Sequence, residues 1–280
     1  MTALLYRTTE GAIARIDGKH YRVGPEDWDE LLNLRGLVAH LRAQALPARE
    51  TAAPTALLAP IGSQEIWGAG VTWYRSRDAR IEESRDAGGG DFYDRVYDAE
   101  RPELFYKANR LRVAPPGGLL RLRADSRWVV PEPELTLVIN SRHRIIGYTV
   151  GNDLSCRDIE GENPLYLPQA KTFDGCAAIG PGLLITDEAL PQTTRIELRI
   201  LRDARTLVDD GTELSLMKRR PEDLLQYLVR ATRFPAGCFL MTGTGIVPAD
   251  DFSLQRGDEV RITIEPIGTL VNFMGTAPAS

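Results

Sequence analysis

Short stretches in which apolar and polar residues alternate recur along most of the chain, and they constrain its fold more than any other feature. Residues 196–200 and 260–264 both follow this period of two, and turn signals such as Arg256-Gly257-Asp258 lie between such stretches. Alternation puts successive side chains on opposite faces of a strand, so one face can be buried. A chain of 280 residues can also bury a large core. The pattern predicts a mainly β (α+β) protein.

The first 60 residues differ from the rest in pattern. Asp17-Gly18 predicts a tight hairpin turn between two short strands. Pro25 then predicts the start of one helix, whose apolar positions recur at helical spacing: Leu31, Leu34, Val38 and Leu41. Residues 45–60 are rich in Ala and Pro, which is typical of an extended connection. We predict a small N-terminal α/β domain and linker over residues 1–60 and a larger domain over residues 61–280, with a later helix from Pro221.

Charge and cysteine content exclude several classes of function. The chain has 34 basic and 39 acidic residues, and its basic residues are dispersed, so nucleic acid is not an expected partner. The sequence begins without a charged segment and apolar signal core, and no run of about 18 apolar residues occurs, so no membrane association is expected. Three widely spaced cysteines without a CxxC pair indicate neither a disulfide framework nor a zinc site. We expect a cytoplasmic protein.

The most informative segment covers residues 129–139, which read VVPEPELTLVI. If a strand begins at about Glu132, then Glu132, Glu134 and Thr136 share one face, and leucine and isoleucine occupy the other. Two carboxylates this close are costly unless a cation or a proton neutralises them, which indicates a hard divalent metal bound through oxygen. The alternative for an ExE pair is a solvated face of a sheet.

A second predicted strand over residues 145–150 strengthens the metal interpretation. It leads into Gly151-Asn152-Asp153, and hairpin geometry would bring Asp153 beside the two glutamates. Three carboxylates without a nearby histidine favour Mg²⁺ or Mn²⁺ over Zn²⁺, because zinc commonly takes imidazole and thiolate. The sequence therefore predicts a metal site formed by Glu132, Glu134 and Asp153.

Two further segments are candidates for function. Residues 167–171 end in Lys171, which beside a metal centre could bind substrate oxygen or transfer protons; the alternative is a surface lysine. Residues 84–102 form a polar stretch with three consecutive glycines, too long for an ordinary connection. This stretch is predicted to be either an active-site lid or a flexible surface loop.

Several motifs, in this order over roughly residues 66–274, resemble the fumarylacetoacetate hydrolase family. They are Gly68-Ala69-Gly70-Val71 with Tyr74, Glu132-x-Glu134, Asn152-Asp153 with Arg157-Asp158, Lys171, Gly180-Pro181, Met241-Thr242-Gly243-Thr244-Gly245 and Gly268-Thr269-Leu270-Val271-Asn272. The resemblance implies rolled, mixed β-sheets, a homodimer or dimer of dimers, and Mg²⁺, Mn²⁺ or Ca²⁺ held by Glu132, Glu134 and Asp153. It also implies that Arg157, Lys171 and Thr244 lie around the substrate.

One departure from the family pattern affects the expected reaction. Hydrolytic members carry a histidine shortly after the tyrosine of the first motif, whereas here Tyr74 is followed by Arg75-Ser76-Arg77-Asp78. Arg77 occupies the histidine position and stays protonated, so it cannot act as the general base of a hydrolysis. Arg75 or Arg77 is instead a candidate to hold substrate oxygens through paired donors, with a surface salt bridge as the alternative.

Residues 131–181, together with the PELFYKA segment at 102–108, look like the branch of this family that contains 2-keto-3-deoxy-pentonate (arabinonate/xylonate) dehydratases. The resemblance implies that Glu103 and Lys171 form the proton-transfer pair and that Lys107 contacts substrate. The expected function is Mg²⁺-dependent dehydration of a 2-keto-3-deoxy-pentonate to 2,5-dioxopentanoate in pentose catabolism. Alternatives are acylpyruvate or diketo-acid hydrolysis, oxaloacetate decarboxylation, oxo-acid isomerisation, or a non-catalytic ligand-binding protein.

Overall fold

A computed structural model describes residues 2–75 and 95–276. The β-strands are β1 (Thr2–Thr8), β2 (Gly11–Ile16), β3 (Lys19–Val23), β4 (Glu50–Thr51), β5 (Glu65–Gly70), β6 (Glu103–Asn109), β7 (Val113–Ala114), β8 (Leu119–Leu122), β9 (Val129–Val130), β10 (Pro133–Ile139), β11 (Ile145–Asp153), β12 (Ser155–Cys156), β13 (Ala177–Thr186), β14 (Arg195–Arg202), β15 (Arg205–Glu213), β16 (Cys238–Met241), β17 (Glu259–Ile264) and β18 (Gly268–Thr276). The α-helices are α1 (Trp28–Leu32), α2 (Leu37–Ala43), α3 (Arg157–Glu162), α4 (Leu167–Lys171) and α5 (Pro221–Leu228).

Two mixed sheets carry the architecture. The large sheet has the order β4-β3-β2-β1-β13-β11-β10-β16-β5-β6, and β7 pairs with β13 beside this path. The smaller sheet has the order β15-β14-β17-β18-β8. Most neighbours are antiparallel, but β16 pairs with β5 and β18 pairs with β8 in parallel. The predicted mainly β class with mixed sheets is confirmed.

The central strand β10 lies between two cores, and all of its residues are buried. On one face, Leu135 and Leu137 belong to the same core as Ile196 and Leu198, which line the inner face of the smaller sheet. On the other face, Val138 belongs to a second core with residues of α1 and α2. Burial on both faces holds the backbone of this strand rigidly, which matters because it carries Glu134.

The N-terminal segment confirms one prediction and corrects another. Strands β2 and β3 pair across Asp17-Gly18, where both residues have positive φ, as the hairpin prediction requires. The predicted single helix from Pro25 is wrong, because α1 and α2 are two short helices. Gly36 between them has φ 64°, a left-handed conformation in which a right-handed helix cannot continue.

Strand β1 joins the N-terminal hairpin to the centre of the large sheet. It pairs antiparallel with β13, with Thr2 opposite Thr186, and β13 in turn pairs with β11. Residues 1–60 and the candidate site thus share one continuous sheet, and the domain division at residue 60 stays a prediction. The later helix predicted from Pro221 is confirmed as α5. Within the two described ranges, no helix combines the length and apolar character needed to cross a membrane.

Candidate metal centre and active site

The β10–β11 hairpin brings together the three carboxylates that the sequence singles out. Glu134 lies opposite Gly151 in the register, and the Asp153 N–H donates to the Glu132 carbonyl at 3.0 Å. All three side chains are buried, and each offers a carboxylate oxygen within 4.8 Å of the others. The predicted approach of Asp153 to the two glutamates is therefore confirmed. Burial also excludes the alternative of a solvated sheet face.

The chemistry of this cluster fits a divalent cation. Two oxygens that bind one ion lie at most twice the metal–oxygen distance apart, which is about 4–5 Å for Mg²⁺ or Ca²⁺. Burial raises the pKa of the Glu134 carboxyl well above its usual value, and the negative charges of Asp153 and Glu132 raise it further, whereas Lys171 and the Gly243 N–H lower it. A bound cation would relieve this repulsion, so the three residues form a suitable metal site.

Lys171, the last residue of α4, extends into the carboxylate cluster. Its Nζ lies 2.6 Å from Glu132 Oε2, 2.7 Å from Ser155 Oγ and 3.3 Å from Asp153 Oδ2. The side chain is buried, so the alternative of a surface lysine is wrong. The Nζ also lies 5.4 Å from the centre of the Phe105 ring. These contacts hold the Lys171 ammonium next to any metal ion or substrate that the carboxylates bind.

Lys107, from β6, contacts the other carboxylate oxygen of Asp153. Its Nζ lies 2.6 Å from Asp153 Oδ1, and it donates to the Leu154 carbonyl at 2.8 Å and to the Lys171 carbonyl. The side chain is completely buried. The two carbonyls accept two of the three N–H donors of the ammonium group, and Asp153 supplies the opposite charge. These contacts favour a role in positioning Asp153 over the predicted contact with substrate.

Two further groups orient the glutamates. Arg157, the first residue of α3, places Nη2 2.8 Å from Glu132 Oε1. The Gly243 N–H donates to Glu134 Oε2 at 2.5 Å. Gly243 has φ 90°, and a Cβ there would lie 2.0 Å from Thr72 Oγ1, so the close approach of this backbone to Glu134 requires glycine.

A cavity of about 20 Å³ adjoins the carboxylates. It is lined by Ala69, Gly70, Val71, Glu103, Phe105, Glu132, Glu134, Glu160, Leu167, Lys171, Gly243 and Thr244. Glu103 reaches it across Gly70, where a Cβ would lie 2.0 Å from Glu103 Oε2. The two residues predicted to transfer protons, Glu103 and Lys171, thus line the same cavity beside the metal ligands.

Comparisons with known proteins agree with this geometry. The family model described as fumarylacetoacetate (FAA) hydrolase C-terminal matches residues 83–274, which is more than half of the chain. The chain belongs to this family. A probable 2-keto-3-deoxyxylonate dehydratase of Haloferax volcanii is 48% identical over 218 residues, which are 78% of this chain and 74% of that protein. A 2-dehydro-3-deoxy-D-arabinonate dehydratase of Saccharolobus solfataricus is 43% identical over 214 residues, 76% of this chain and 72% of that protein.

A solved structure of the fumarylacetoacetate hydrolase family resembles the whole fold. It is a 2-keto-3-deoxy-D-arabinonate dehydratase complexed with magnesium and 2,5-dioxopentanoate. The TM-score is 0.84 at 32% identity, with all of both chains covered. The predicted resemblance to this family and to its pentonate dehydratase branch is confirmed.

Three other residues were predicted to contact substrate: Thr244, Arg75 and Arg77. Thr244 lines it, but its Oγ1 is engaged with the backbone of Ile246. Arg75 is exposed and pairs with Asp210 at 3.2 Å, which supports the surface salt bridge that was its alternative interpretation. Arg77 lies outside the described residues, as do residues 84–94 of the predicted lid or loop.

Sequence reasoning missed two residues of the site. Ser155 contacts Lys171, and Glu160 is buried against the cavity. Glu160 follows Arg157 by three positions, a spacing that puts both side chains on one face of a helix, and this signal was present in the sequence. The contact of Ser155 follows from the tertiary fold, because Lys171 comes from a separate helix.

Proposed function

We propose that this protein is a Mg²⁺-dependent hydro-lyase that dehydrates a 2-keto-3-deoxy-pentonate to 2,5-dioxopentanoate. The observation that carries the proposal is the cavity that Glu103 and Lys171 line together with Glu132 and Glu134, which form a buried carboxylate cluster with Asp153. Two dehydratases with more than 40% identity, and a dehydratase structure that holds magnesium and this product, support the same reaction. The proposed place of the reaction is pentose catabolism.

Glu132, Glu134 and Asp153 would hold the Mg²⁺ ion, with Mn²⁺ or Ca²⁺ as alternatives for the same oxygen ligands. When bound, the ion supplies Lewis acidity that polarises the 2-oxo group of the substrate and so acidifies the hydrogens on C3. Lys107 and Arg157 keep the ligand carboxylates in place through their contacts with Asp153 and Glu132.

Glu103 and Lys171 would move the protons. One of them removes a proton from C3, and the other donates a proton to the C4 hydroxyl, which leaves as water. The product then has a double bond between C3 and C4. Transfer of a proton from C5 to C3 gives the enol of the C5 aldehyde, which tautomerises to 2,5-dioxopentanoate. We assign the two roles jointly, because both side chains line the cavity.

The test is incubation of the purified protein with Mg²⁺ and, separately, 2-keto-3-deoxy-pentonates, acylpyruvates and oxaloacetate, with and without chelator. Products are identified by mass. The proposal expects loss of one water from a pentonate, and chelator should abolish it. Cleavage of an acylpyruvate or decarboxylation of oxaloacetate, with no change in the mass of the pentonate, would replace the proposal with a rival reaction. Binding of all substrates without turnover would support a non-catalytic protein.

Variants identify the proton-transfer pair. Glu103→Gln and Lys171→Met should each lower kcat by roughly 10²–10⁴-fold, the usual contribution of general acid–base catalysis. Glu26→Gln removes the same charge at an exposed position and should keep wild-type kcat. Thermal unfolding of each variant checks that the fold is intact. Wild-type kcat in Glu103→Gln would remove that residue from the mechanism.

We further propose that the enzyme acts in the cytoplasm, as a homodimer or a dimer of dimers. Three buried free cysteines support a reducing compartment, and the assembly is the one expected from the family resemblance. Light scattering of the purified protein measures the oligomeric state.

We also propose that the chain divides into a small domain and linker over residues 1–60 and a larger domain over residues 61–280. Limited proteolysis tests this division.

A further inference from the structure

One carboxylate in the cavity has no role in the proposed reaction. Glu160 lines the cavity together with Glu103 and Lys171, and its side chain is only 3% exposed. Burying a carboxylate is costly, so surface helices normally turn such residues toward water. Glu162, two residues later in the same helix, is exposed in that way. The burial of Glu160 is therefore specific to its position.

Helix α3 directs Glu160 toward the substrate space. Arg157 and Glu160 are three positions apart, so they share one face of this short helix. Arg157 on that face already reaches Glu132, a proposed metal ligand, at 2.8 Å. Leu167 and Lys171 of the neighbouring α4 line the same cavity. Glu160 thus borders the same cavity as Lys171 and the proposed metal ligands Glu132 and Glu134.

The charge at this position distinguishes between classes of 2-oxo acid. A substrate hydroxyl can donate a hydrogen bond to a carboxylate, and hydrogen bonds to charged acceptors are stronger than neutral ones. A second substrate carboxylate next to Glu160 would instead be repelled. Both effects favour a 2-oxo acid whose far end is hydroxylated over one whose far end is acidic.

We propose that the end of the substrate remote from the metal lies against Glu160, and that Glu160 determines specificity by accepting a hydrogen bond from a substrate hydroxyl and by excluding 2-oxo dicarboxylates. This inference deepens the proposed function and rests on the same cavity. It concerns the choice of substrate, whereas Glu103 and Lys171 concern the chemical step.

Binding of two unreactive 2-oxo acids tests the proposal without relying on turnover. 2-Oxopentanoate and 2-oxoglutarate have the same chain length and differ in whether C5 is a methyl group or a carboxylate. Calorimetric titration of the Mg²⁺-loaded protein should give a Kd for 2-oxopentanoate roughly tenfold lower than that for 2-oxoglutarate, as expected for repulsion between nearby like charges. Equal or tighter binding of 2-oxoglutarate by the wild-type protein would overturn the proposal.

Three variants assign the discrimination to Glu160. Glu160→Gln should bring the two dissociation constants together, Glu160→Asp should keep them apart because it keeps the charge, and Glu162→Gln should match the wild type. Thermal unfolding and Mg²⁺ titration verify that each protein is folded and metal-competent. If Glu160→Gln does not fold, the dissociation constants of Glu160→Asp and of the wild type still test the proposal. Equal binding of the two acids by Glu160→Asp would contradict a role for the charge.

Kinetics with a 2-keto-3-deoxy-pentonate separate this inference from the proposed function. In Glu160→Gln we expect KM to rise roughly tenfold with kcat little changed, because a contact made equally in the ground and transition states affects KM. A fall in kcat with unchanged KM and unchanged discrimination would contradict the inference. If the wild type does not dehydrate the pentonate but the binding differences are found, the proposed function fails and the role of Glu160 stands.

Discussion

Replacement of Lys107 by methionine should strongly destabilise the metal-free protein. The Lys107 ammonium is completely buried and contacts Asp153 at 2.6 Å, the Leu154 carbonyl at 2.8 Å and the Lys171 carbonyl. Methionine nearly preserves the apolar stem, so the main loss is the charge. Removing one partner of a buried ion pair costs about 3–5 kcal/mol, because the other charge is left uncompensated. The hydrogen bonds to two carbonyl oxygens are lost as well, whereas Lys171 still contacts Asp153 at 3.3 Å, so we expect a change near the middle of this range.

Urea unfolding in the presence of a chelator measures this effect. With an m-value of about 3 kcal/mol per M, a loss of about 4 kcal/mol lowers the midpoint by roughly 1.3 M. Lys19→Met is the matched control, because Lys19 forms an exposed pair with Glu50 at 3.0 Å, and its midpoint should stay close to that of the wild type. Adding Asp153→Asn to Lys107→Met should recover part of the loss, since it removes the carboxylate charge that Lys107 no longer neutralises. A midpoint for Lys107→Met equal to that of Lys19→Met would refute the reasoning.

Three further predictions follow from the same site. Burial raises the pKa of Glu134 above its ordinary value of 4.5. In the presence of chelator, the folded protein therefore keeps a proton that the unfolded chain loses. The free energy of unfolding should fall as pH rises above 4.5, by at most about 1.4 kcal/mol per pH unit. Urea unfolding of wild type and Glu134→Gln between pH 5 and 8 checks this, and parallel curves would contradict it. Mg²⁺ at about 100 times its Kd should raise the wild-type free energy of unfolding by about 2.7 kcal/mol, and Glu132→Gln should remove most of this gain in the same assay. Gly70→Ala puts a Cβ 2.0 Å from Glu103 Oε2, so it should displace that carboxylate. We expect kcat to fall by roughly 10²-fold with little change in the thermal unfolding midpoint. An unchanged kcat would show that the position of Glu103 is unimportant.

The sequence predicts the metal ligands well because their geometry is local. Glu132, Glu134 and Asp153 lie on one hairpin, whose strands and turn can be recognised from alternation and from a short polar connection. Once the hairpin forms, the approach of the three carboxylates follows from its register. The mainly β class is predictable for the same reason, since alternation is a property of each strand alone.

The cations around the ligands could not be predicted in the same way. Lys107 and Lys171 come from an edge strand and a short helix, and lysine in such segments is normally exposed. Their burial results from tertiary contacts that no short pattern encodes. The break between α1 and α2 is different, because the sequence does contain a signal for it, Gly36. The helical spacing of Leu31, Val38 and Leu41 favoured one continuous helix over that signal.

The position of the hairpin in the chain has a consequence for folding kinetics. Glu132 and Asp153 are joined by a short connection, whereas β1 must pair with β13 across most of the chain, from Thr2 to Thr186. The entropy of loop closure makes the longer connection about 2 kcal/mol more costly to close. Contacts of low sequence separation also form faster. The metal ligands can therefore meet while the sheet is still incomplete, and a divalent ion present during refolding would accelerate an early step rather than only stabilise the finished enzyme.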